Sequence, residues 1–294
     1  MKKLFKLGLC LLILGTALGP SLSQAFNSAT HIYIAERVSP FTFDKINLYY
    51  GSIAPDISLY ADLAEWPNGF CETHYKFIEL PYKWWNISQK AFAQGWQTHN
   101  EIWGADYYAH GTCLDCANLG TCLYNGYVPT QAQALAQFIV FLKDYPELAH
   151  FAIEVAIDLL LVDEKDPDLG KDLLKAALFR SPVDFNLMKK VFVGQPIGNG
   201  TDLETLTSAE STFRNLVIRY ALALTLPKPL RMAVLGELGV EVAEGMGVEP
   251  GTINSATVQE ILKAAMDLCE ETNYYKNTIQ PAIDGIKKIP DLIK

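Results

Sequence analysis

The feature that most constrains this chain is a fifteen-residue apolar stretch, residues 148–162, whose polar members are His150, Glu154 and Asp158. Pro146 suits the first turn of a helix, and a spacing of four places the three polar side chains on one helix face. Burying an imidazole and carboxylates without partners is costly, so this face must meet partners. We favour a metal ion, because His-x3-Glu is a common zinc-binding pair. The alternative is hydrogen bonding to a neighbouring helix.

A second stretch with helical spacing, residues 95–111, contains two more histidines, with the carboxylate of Asp106 between them. Asp106 and His110 are four residues apart, so one helix would direct both side chains at the same ion. His99 precedes Asp106 by seven residues, which is about 10 Å along a continuous helix. This separation is too long for one metal to bind all three, so we expect His99 to bind a neighbouring metal. The alternative is a buried helix with a few hydrogen-bonded polar residues.

The two remaining histidines also lie close to groups that bind metals. His74 follows Glu72, and His31 lies near the expected amino terminus of the mature chain, whose neutral α-amine is a competent ligand. Asp56 follows Pro55 at the start of a new segment, where its carboxylate either caps that segment or binds a metal. All five histidines thus lie beside a carboxylate or near the amino terminus. This joint pattern indicates a metal-binding cluster more strongly than any single motif.

Residues 1–25 are typical of a secretory signal peptide. Three lysines precede an apolar run that is too short for a comfortable membrane span, and Ser23 and Ala25 form a small-x-small cleavage site. We therefore expect the mature protein to begin at Phe26 and to be secreted or periplasmic. The formal net charge of −9 argues against binding of duplex nucleic acid. It does not exclude a small phosphodiester that is bound through metal ions.

Five cysteines lie outside the expected signal peptide: Cys71, Cys113, Cys116, Cys122 and Cys269. In an exported protein we expect disulfides among them, with one cysteine left over. The sequence does not determine the pairing. Three of these cysteines lie in a predicted loop, residues 111–129, which we expect to be cross-linked. The alternative is a thiolate zinc site at Cys113, Cys116 and Cys122, although a fourth ligand at suitable spacing is missing.

The chain can bury a large core, since half of its residues belong to the hydrophobic class. No alternating strand pattern of useful length is present, so we predict an all-α protein. Beyond residue 163 no histidine occurs, and caps with helical apolar spacing predict helices near residues 168–180, 211–226, 230–246 and 255–271. This half of the chain is expected to serve structural packing. A separate helical subdomain, with a boundary near residues 193–208, is the alternative.

The ordered set of potential ligands resembles the superfamily of zinc-dependent phospholipases C and single-strand-specific nucleases. The resemblance covers residues 26–158 and rests on Phe26 before His31, Ala54-Pro55-Asp56, Thr73-His74, Gly95-Trp96 before His99, Asp106-x3-His110-Gly and His150-x3-Glu154. It implies an all-α, multi-helix bundle of the zinc-dependent phospholipase C type that holds up to three zinc ions. It also implies a catalytic domain at residues 26–192, with residues 193–294 as a helical C-terminal extension packed on the same core.

Carried over residue by residue, the resemblance implies three zinc-binding groups. The first zinc would be bound by Asp56, His74, His99 and Asp106. The second would be bound by the amino terminus of Phe26, by His31 and by a bridging Asp106. The third would be bound by His110, His150 and Glu154. Asp56 would also be the catalytic residue, which orients or deprotonates the attacking water.

Two positions depart from the family pattern. Phe26 stands where the family usually begins with tryptophan, which preserves the backbone ligands and changes the ring. Ile102 stands where the family usually has a histidine four residues before the bridging aspartate, and His99 lies three residues earlier. A kink or bulge at Gly104 would restore the geometry. Without it, the site would hold fewer metals.

The resemblance predicts a secreted zinc-dependent hydrolase of phosphodiester bonds, phospholipase C-like, that uses metal-activated water. We expect a phospholipid or another phosphodiester as substrate, transient contact with a membrane surface, and a monomer. One alternative is a nuclease or nucleotidase with the same site, and another is a catalytically inactive metal-binding protein of that fold. Aromatic residues that suit an acyl chain or a stacked base do not decide between lipid and nucleotide. They are Trp84, Trp85, Trp103, Tyr107 and Tyr108.

Overall fold

A computed structural model of the chain describes residues 27–76, 86–112, 116, 123–195 and 199–289. The regular structure in these residues is helical, and their one β-type contact is an isolated bridge between Val193 and Thr201. The prediction of an all-α fold is therefore confirmed. The expected signal peptide, its cleavage site and the proposed amino-terminal ligand Phe26 lie outside the described residues.

The helices of the first half are α1 Ser28–Val38, α2 Lys45–Ile53, a 3-10 helix Ala54–Tyr60, α3 Gly69–Cys71, a π-helical turn Glu72–Lys76, α4 Ile87–His99 and α5 Ala105–His110. The second half contains α6 Tyr127–Phe138, a 3-10 helix Val140–Lys143, α7 Pro146–Glu164, α8 Leu169–Phe179, α9 Pro182–Phe192, α10 Leu203–Leu224, α11 Lys228–Gly245, α12 Ser255–Glu271, a π-helical segment Tyr275–Ile279 and α13 Gln280–Ile286. Several helices begin where the sequence supplies a capping side chain, because its oxygen accepts a backbone N–H of the first turn. These caps include Asn27, Asp44, Asn86, Ser181, Asp202 and Asn254.

Close packing of α2 against α4 fixes the position of one histidine. A Cβ atom on Gly95 of α4 would overlap the carbonyl oxygen of Leu48 and would lie 2.7 Å from the amide nitrogen of Ser52. Glycine therefore lets the two backbones approach one another here. This close approach brings the end of α4, with His99, beside the carbonyl of Ser52 at the end of α2.

The C-terminal half packs onto the first half through shared apolar surfaces. Leu159 on α7, Phe213 on α10 and Ile261 on α12 belong to one buried cluster that also contains Ile32 of α1 and Phe92 of α4. Of the helices in this half, α8, α11 and α12 lie close to the predicted segments, and α10 begins eight residues before the predicted segment 211–226. Helices α9 and α13 were not predicted. The proposed boundary between residues 192 and 193 stays a prediction.

Two cysteines form a disulfide, Cys71 with Cys116. The alternative of a thiolate zinc site at Cys113, Cys116 and Cys122 is therefore wrong, because an oxidised sulfur is not a thiolate ligand; Cys113 and Cys122 lie outside the described residues. The disulfide fits the oxidising compartment that we expect for this protein, and Cys269 is a buried free thiol.

Within the described part of the chain, no helix has the length and apolar character needed to cross a membrane.

Candidate metal centre

The five histidines of the chain form three groups with carboxylates, and within each group the potential ligand atoms lie within 4.8 Å of one another. The groups are Asp56 with His74 and His99, His31 with His99 and Asp106, and His110 with His150 and Glu154. All of these residues are buried except His150, whose side chain is 13% exposed. Each group can thus hold a metal ion, and the first two groups share His99.

Six separate elements bring these side chains together. α1 supplies His31, the 3-10 helix after α2 supplies Asp56, and the π-helical turn supplies His74. The last residue of α4 is His99, and α5 carries Asp106 and His110 one turn apart. α7 contributes His150 and Glu154, which are also one turn apart.

A break between α4 and α5 brings His99 to Asp106. The side-chain oxygen of Asn100 accepts hydrogen bonds from three successive backbone N–H groups, those of residues 102–104, at 3.0, 3.0 and 3.3 Å. This local turn ends α4 at His99, and His99 Nε2 lies 3.1 Å from Asp106 Oδ2. The expectation that these two residues lie too far apart to share a metal is therefore wrong. It assumed a continuous helix through residues 95–111.

The same break explains the departure at Ile102. The Ile102 side chain is 44% exposed, whereas His99 is fully buried in the cluster. A Cβ atom on Gly104 would lie 2.6 Å from the backbone nitrogen and oxygen of Asn100, so the turn requires glycine at this position. The expected kink at Gly104 is present as a complete interruption of the helix.

In the first group, three atoms that can donate lone pairs face one another. His99 Nε2 lies 3.2 Å from His74 Nε2 and 3.4 Å from Asp56 Oδ1, and His74 Nε2 lies 3.5 Å from the same oxygen. Two histidine nitrogens at this distance can share at most one proton. Asp56 caps no helix, and its side chain is buried against the two rings. The capping alternative for Asp56 is therefore wrong.

The opposite ring nitrogens of two histidines are held by acceptors, which leaves each Nε2 facing the cluster. Nδ1 of His99 lies 2.8 Å from the carbonyl oxygen of Ser52, and Nδ1 of His110 lies 2.7 Å from Oε1 of Glu101. Carbonyl and carboxylate oxygens only accept, so Nδ1 carries the hydrogen in both cases. This is the tautomer that a histidine adopts when Nε2 binds a metal. Nδ1 of His74 contacts both the Thr73 hydroxyl, at 2.7 Å, and the carbonyl oxygen of Phe70, at 3.2 Å.

Glu101 is a buried member of the site that the sequence did not reveal. It precedes His110 by nine residues, so no helical spacing relates the two. Their contact results from the turn between α4 and α5 and from the position of α5. The one available signal was a charged residue two positions after His99, and this signal is weak because such residues are common on surfaces.

Asp106 lies between the first two groups. Its Oδ1 is 3.4 Å from His31 Nε2, and its Oδ2 is 3.1 Å from His99 Nε2 and 3.7 Å from His74 Nε2. The two oxygens therefore face different histidines, as the bridging assignment requires. The rings of His31 and His99 are stacked with their centroids 4.0 Å apart.

The third group is closely spaced. His150 Nε2 lies 3.0 Å from Oε1 of Glu154 and 3.0 Å from Nε2 of His110, and His110 Nε2 lies 4.0 Å from the same glutamate oxygen. The first two members of the predicted polar face on α7 thus meet a histidine from α5.

The third member of that face, Asp158, has a different role. Its oxygens accept hydrogen bonds from the backbone N–H groups of Ala29 and Thr30, at 3.1 and 2.7 Å. The hydroxyls of Thr30 and Tyr220 also donate to it, at 2.5 and 2.9 Å. Asp158 therefore caps the first turn of α1 from another helix. It belongs to none of the three ligand groups, and the hydrogen-bonding alternative applies to it.

Burial and mutual charge shift the pKa values of this centre in opposite directions. Burial lowers the pKa of His99, but the carboxylates of Asp106 and Asp56 outweigh this effect and raise it well above its ordinary value. Burial raises the pKa of Asp56, but His99 and His74 outweigh it and hold this pKa below its usual range. Burial, together with the charges of Asp56 and Asp106, raises the pKa of Glu154 well above its ordinary value. A divalent cation would therefore displace protons when it binds.

The aromatic residues that the sequence associated with the substrate are only partly described. Trp103, Tyr107 and Tyr108 are half-buried, and Trp84 and Trp85 lie outside the described residues.

No protein-family model, curated protein or solved structure matches this chain. The geometry and chemistry of the centre itself are therefore the basis on which a function is proposed.

Proposed function

We propose that this chain is a zinc-dependent hydrolase of phosphodiester bonds, phospholipase C-like, with the helical bundle of the zinc-dependent phospholipase C and nuclease superfamily. The observation that supports it best is the convergence of Nε2 atoms at 3.0 to 3.2 Å within the histidine pairs His74–His99 and His110–His150. Hydrogen bonding alone does not require two such pairs beside buried carboxylates. A shared cation accounts for both.

The donor set fits zinc. No hydrogen bond of good geometry from the described residues reaches the carboxylate oxygens of Asp56, Asp106 or Glu154, although all three are buried. Leaving such oxygens without donors is costly, and a bound cation compensates for this. Imidazole nitrogen and carboxylate oxygen are both common zinc ligands, and each group offers at least three of them. The assignment of these side chains as ligands of up to three zinc ions is part of the proposal.

Asp56 has the position and charge to act on water. When bound, zinc would lower the pKa of a coordinated water and neutralise the charge of a phosphodiester. The depressed pKa keeps the Asp56 carboxylate ionised, so it can accept a hydrogen bond from water at neutral pH. A carboxylate with a low pKa is a weak base, so its electrostatic environment favours orientation of the water over deprotonation.

The test is Asp56→Asn, with zinc content and hydrolysis measured in the same preparation. We expect most of the metal and the fold to be retained, because the amide still offers an oxygen. Turnover should fall by roughly two to four orders of magnitude, because the water is no longer oriented by a carboxylate. The matched control is Asp267→Asn, which changes an exposed carboxylate on α12 and should leave both measurements unchanged.

Three substrates distinguish the alternatives: a phosphatidylcholine, single-stranded DNA and a chromogenic phosphodiester. The wild-type ranking decides between a phospholipase and a nuclease. If zinc-replete wild-type protein hydrolyses none of them, the hydrolase proposal is wrong and a metal-binding protein of this fold replaces it. If Asp56→Asn remains fully active, Asp56 has no catalytic role.

A further inference from the structure

We infer that Glu101 is a positioning residue of the metal centre, which holds His110 in the orientation that binds zinc in the third group. This group consists of His110, His150 and Glu154, and Glu101 itself belongs to none of the three groups. The role of Glu101 rests on the zinc binding that is part of the proposed function. It does not require hydrolysis of a phosphodiester.

A short hydrogen bond joins the Glu101 side chain to the His110 ring. Nδ1 of His110 donates to Oε1 of Glu101 at 2.7 Å, a distance typical of a hydrogen bond to a carboxylate. Both residues are buried. With Nδ1 held in this way, the ring directs Nε2 at His150, whose own Nε2 lies 3.0 Å away. The hydrogen bond therefore selects the ring nitrogen that faces the other ligands of the group.

The backbone around Glu101 is fixed by the first group and by the turn between α4 and α5. The Glu101 N–H donates to the carbonyl oxygen of His74, a potential ligand of the first group, at 3.2 Å. The next three residues, 102–104, donate their N–H groups to the Asn100 side chain. The Glu101 carboxylate thus extends from a rigid support, as precise orientation of a metal ligand requires.

The second oxygen of Glu101 indicates that this residue does more than fill the core. Oε2 is buried and receives no hydrogen bond of good geometry from the residues that the structure describes. A buried carboxylate with an unpaired oxygen is costly to keep. An apolar residue would avoid this cost, so folding alone does not account for a glutamate at this position.

A carboxylate behind a zinc-bound imidazole has two effects. It keeps the hydrogen on Nδ1, so that Nε2 offers its lone pair, and its negative charge makes Nε2 a stronger ligand. Behind His99, the corresponding acceptor is the neutral carbonyl oxygen of Ser52, at 2.8 Å. Loss of such a partner typically lowers metal affinity roughly tenfold to a hundredfold. We therefore expect the effect of Glu101 to be confined to zinc in the third group.

The experiment compares Glu101→Leu and Glu101→Gln with wild type, by competition for zinc with a chromogenic chelator. In Glu101→Leu, the affinity for one zinc per chain should fall roughly tenfold to a hundredfold. Glu101→Gln keeps an oxygen that accepts the same N–H, so its affinity should lie between those of Glu101→Leu and wild type. The matched control is Glu147→Gln, which removes an exposed carboxylate three residues before His150 and should bind zinc like wild type.

Two further measurements separate positioning from a purely structural role. Glu154→Leu removes the carboxylate ligand of the third group, so adding Glu101→Leu to it should not weaken the binding of the remaining zinc. Nuclear magnetic resonance of the ring nitrogens in zinc-free protein should show the hydrogen of His110 on Nδ1 in wild type and a mixture of tautomers in Glu101→Leu. A purely structural Glu101 would change the stability of zinc-free protein and leave zinc affinity unchanged.

The outcomes distinguish this role from the proposed hydrolase. Unchanged zinc affinity in Glu101→Leu overturns the positioning role, and so does an equal loss of affinity in the Glu154→Leu background. If Glu101→Leu does not fold, Glu101→Gln in the same two backgrounds gives the same test with a smaller loss. A wild type that binds zinc and hydrolyses no phosphodiester refutes the hydrolase, whereas the zinc affinities of the variants still decide the role of Glu101.

Discussion

On α7, two buried carboxylates one turn apart are stabilised in different ways. Glu154 faces His110 and His150 and receives no hydrogen bond of good geometry from the described residues. Asp158 accepts four hydrogen bonds, from Ala29, Thr30 and Tyr220. Removing a carboxylate without donors relieves a desolvation penalty, whereas removing one with four donors leaves those donors unpaired. Substitution of Glu154 should therefore maintain or raise the stability of the metal-free protein, whereas substitution of Asp158 should lower it.

The first residue-scale prediction concerns Glu154→Leu. The variant should bind about one zinc ion fewer per chain, because the group of His110, His150 and Glu154 loses its carboxylate. Without metal it should be at least as stable as wild type, because an apolar side chain replaces a buried carboxylate. Metal analysis and urea unfolding of chelator-treated protein measure both effects. Glu147→Leu, at an exposed position of α7, is the control, and unchanged zinc content in Glu154→Leu would refute the ligand assignment.

The second concerns Asp158→Asn. An amide accepts through one oxygen only, and its NH2 group would face donors that the carboxylate now satisfies. We expect a loss of about 1–3 kcal/mol in the unfolding free energy of chelator-treated protein. Zinc should also leave faster, because Asp158 holds the start of the helix that carries His31. Stability equal to wild type would show that these hydrogen bonds contribute little.

The sequence predicted the types of the buried polar residues better than it predicted their partners. The spacing of His150, Glu154 and Asp158 correctly indicated a buried polar face on α7. It could not show that α1 meets this face at Asp158, because that contact joins residues more than a hundred positions apart. Glu101 was missed for a different reason, because it lies only nine residues before its partner but at no helical spacing from it. Its partner His110 is set by tertiary packing rather than by spacing along a helix.

The junction between α4 and α5 shows how one element boundary decides the geometry of the site. The turn made by Asn100 replaces a continuous helix, and it brings two ligands of one group, His99 and Asp106, to 3.1 Å from each other. Helical periodicity extends across residues 95–111, so the break was expected only through the family resemblance. Helix propensity does not locate such a break. Asn100 stabilises the break through hydrogen bonds to its side chain, and Gly104 permits it because glycine has no Cβ atom.

The prediction at this scale is that Gly104→Ala disrupts the centre. The added methyl would contact the backbone of Asn100, so the turn must open and His99 must move away from Asp106. We expect a loss of about 1–3 kcal/mol in stability and weaker binding of at least one zinc. Ile102→Ala, at the exposed position of the same turn, should change stability by no more than about 0.5 kcal/mol. Equal zinc affinity in both variants would contradict the proposed role of the turn.

At the scale of the whole molecule, helices from distant parts of the chain meet at buried charges, and this links stability to pH. Asp184 on α9 lies far in sequence from the proposed ligands and is fully buried. Burial raises the pKa of Asp184, the positive charge of Arg180 lowers it, and the negative charge of Asp44 raises it. The net result is a pKa of about 8. The folded protein therefore holds a proton that the unfolded chain releases at about pH 4.

The sign of the effect follows from this proton. Between about pH 4 and about pH 8 the native state binds more protons at Asp184, so stability falls as the pH rises, by at most about 1.4 kcal/mol per pH unit. Asp184→Asn removes the titrating group and keeps a neutral polar side chain of similar shape. The unfolding free energy of the variant minus that of wild type should therefore be larger at about pH 8 than at about pH 5. Urea unfolding across this range measures the difference, with chelator present to exclude proton release by the metal ligands. Asp267→Asn should keep the wild-type slope, and an unchanged slope in Asp184→Asn would show that Asp184 is ionised in the folded protein throughout this range.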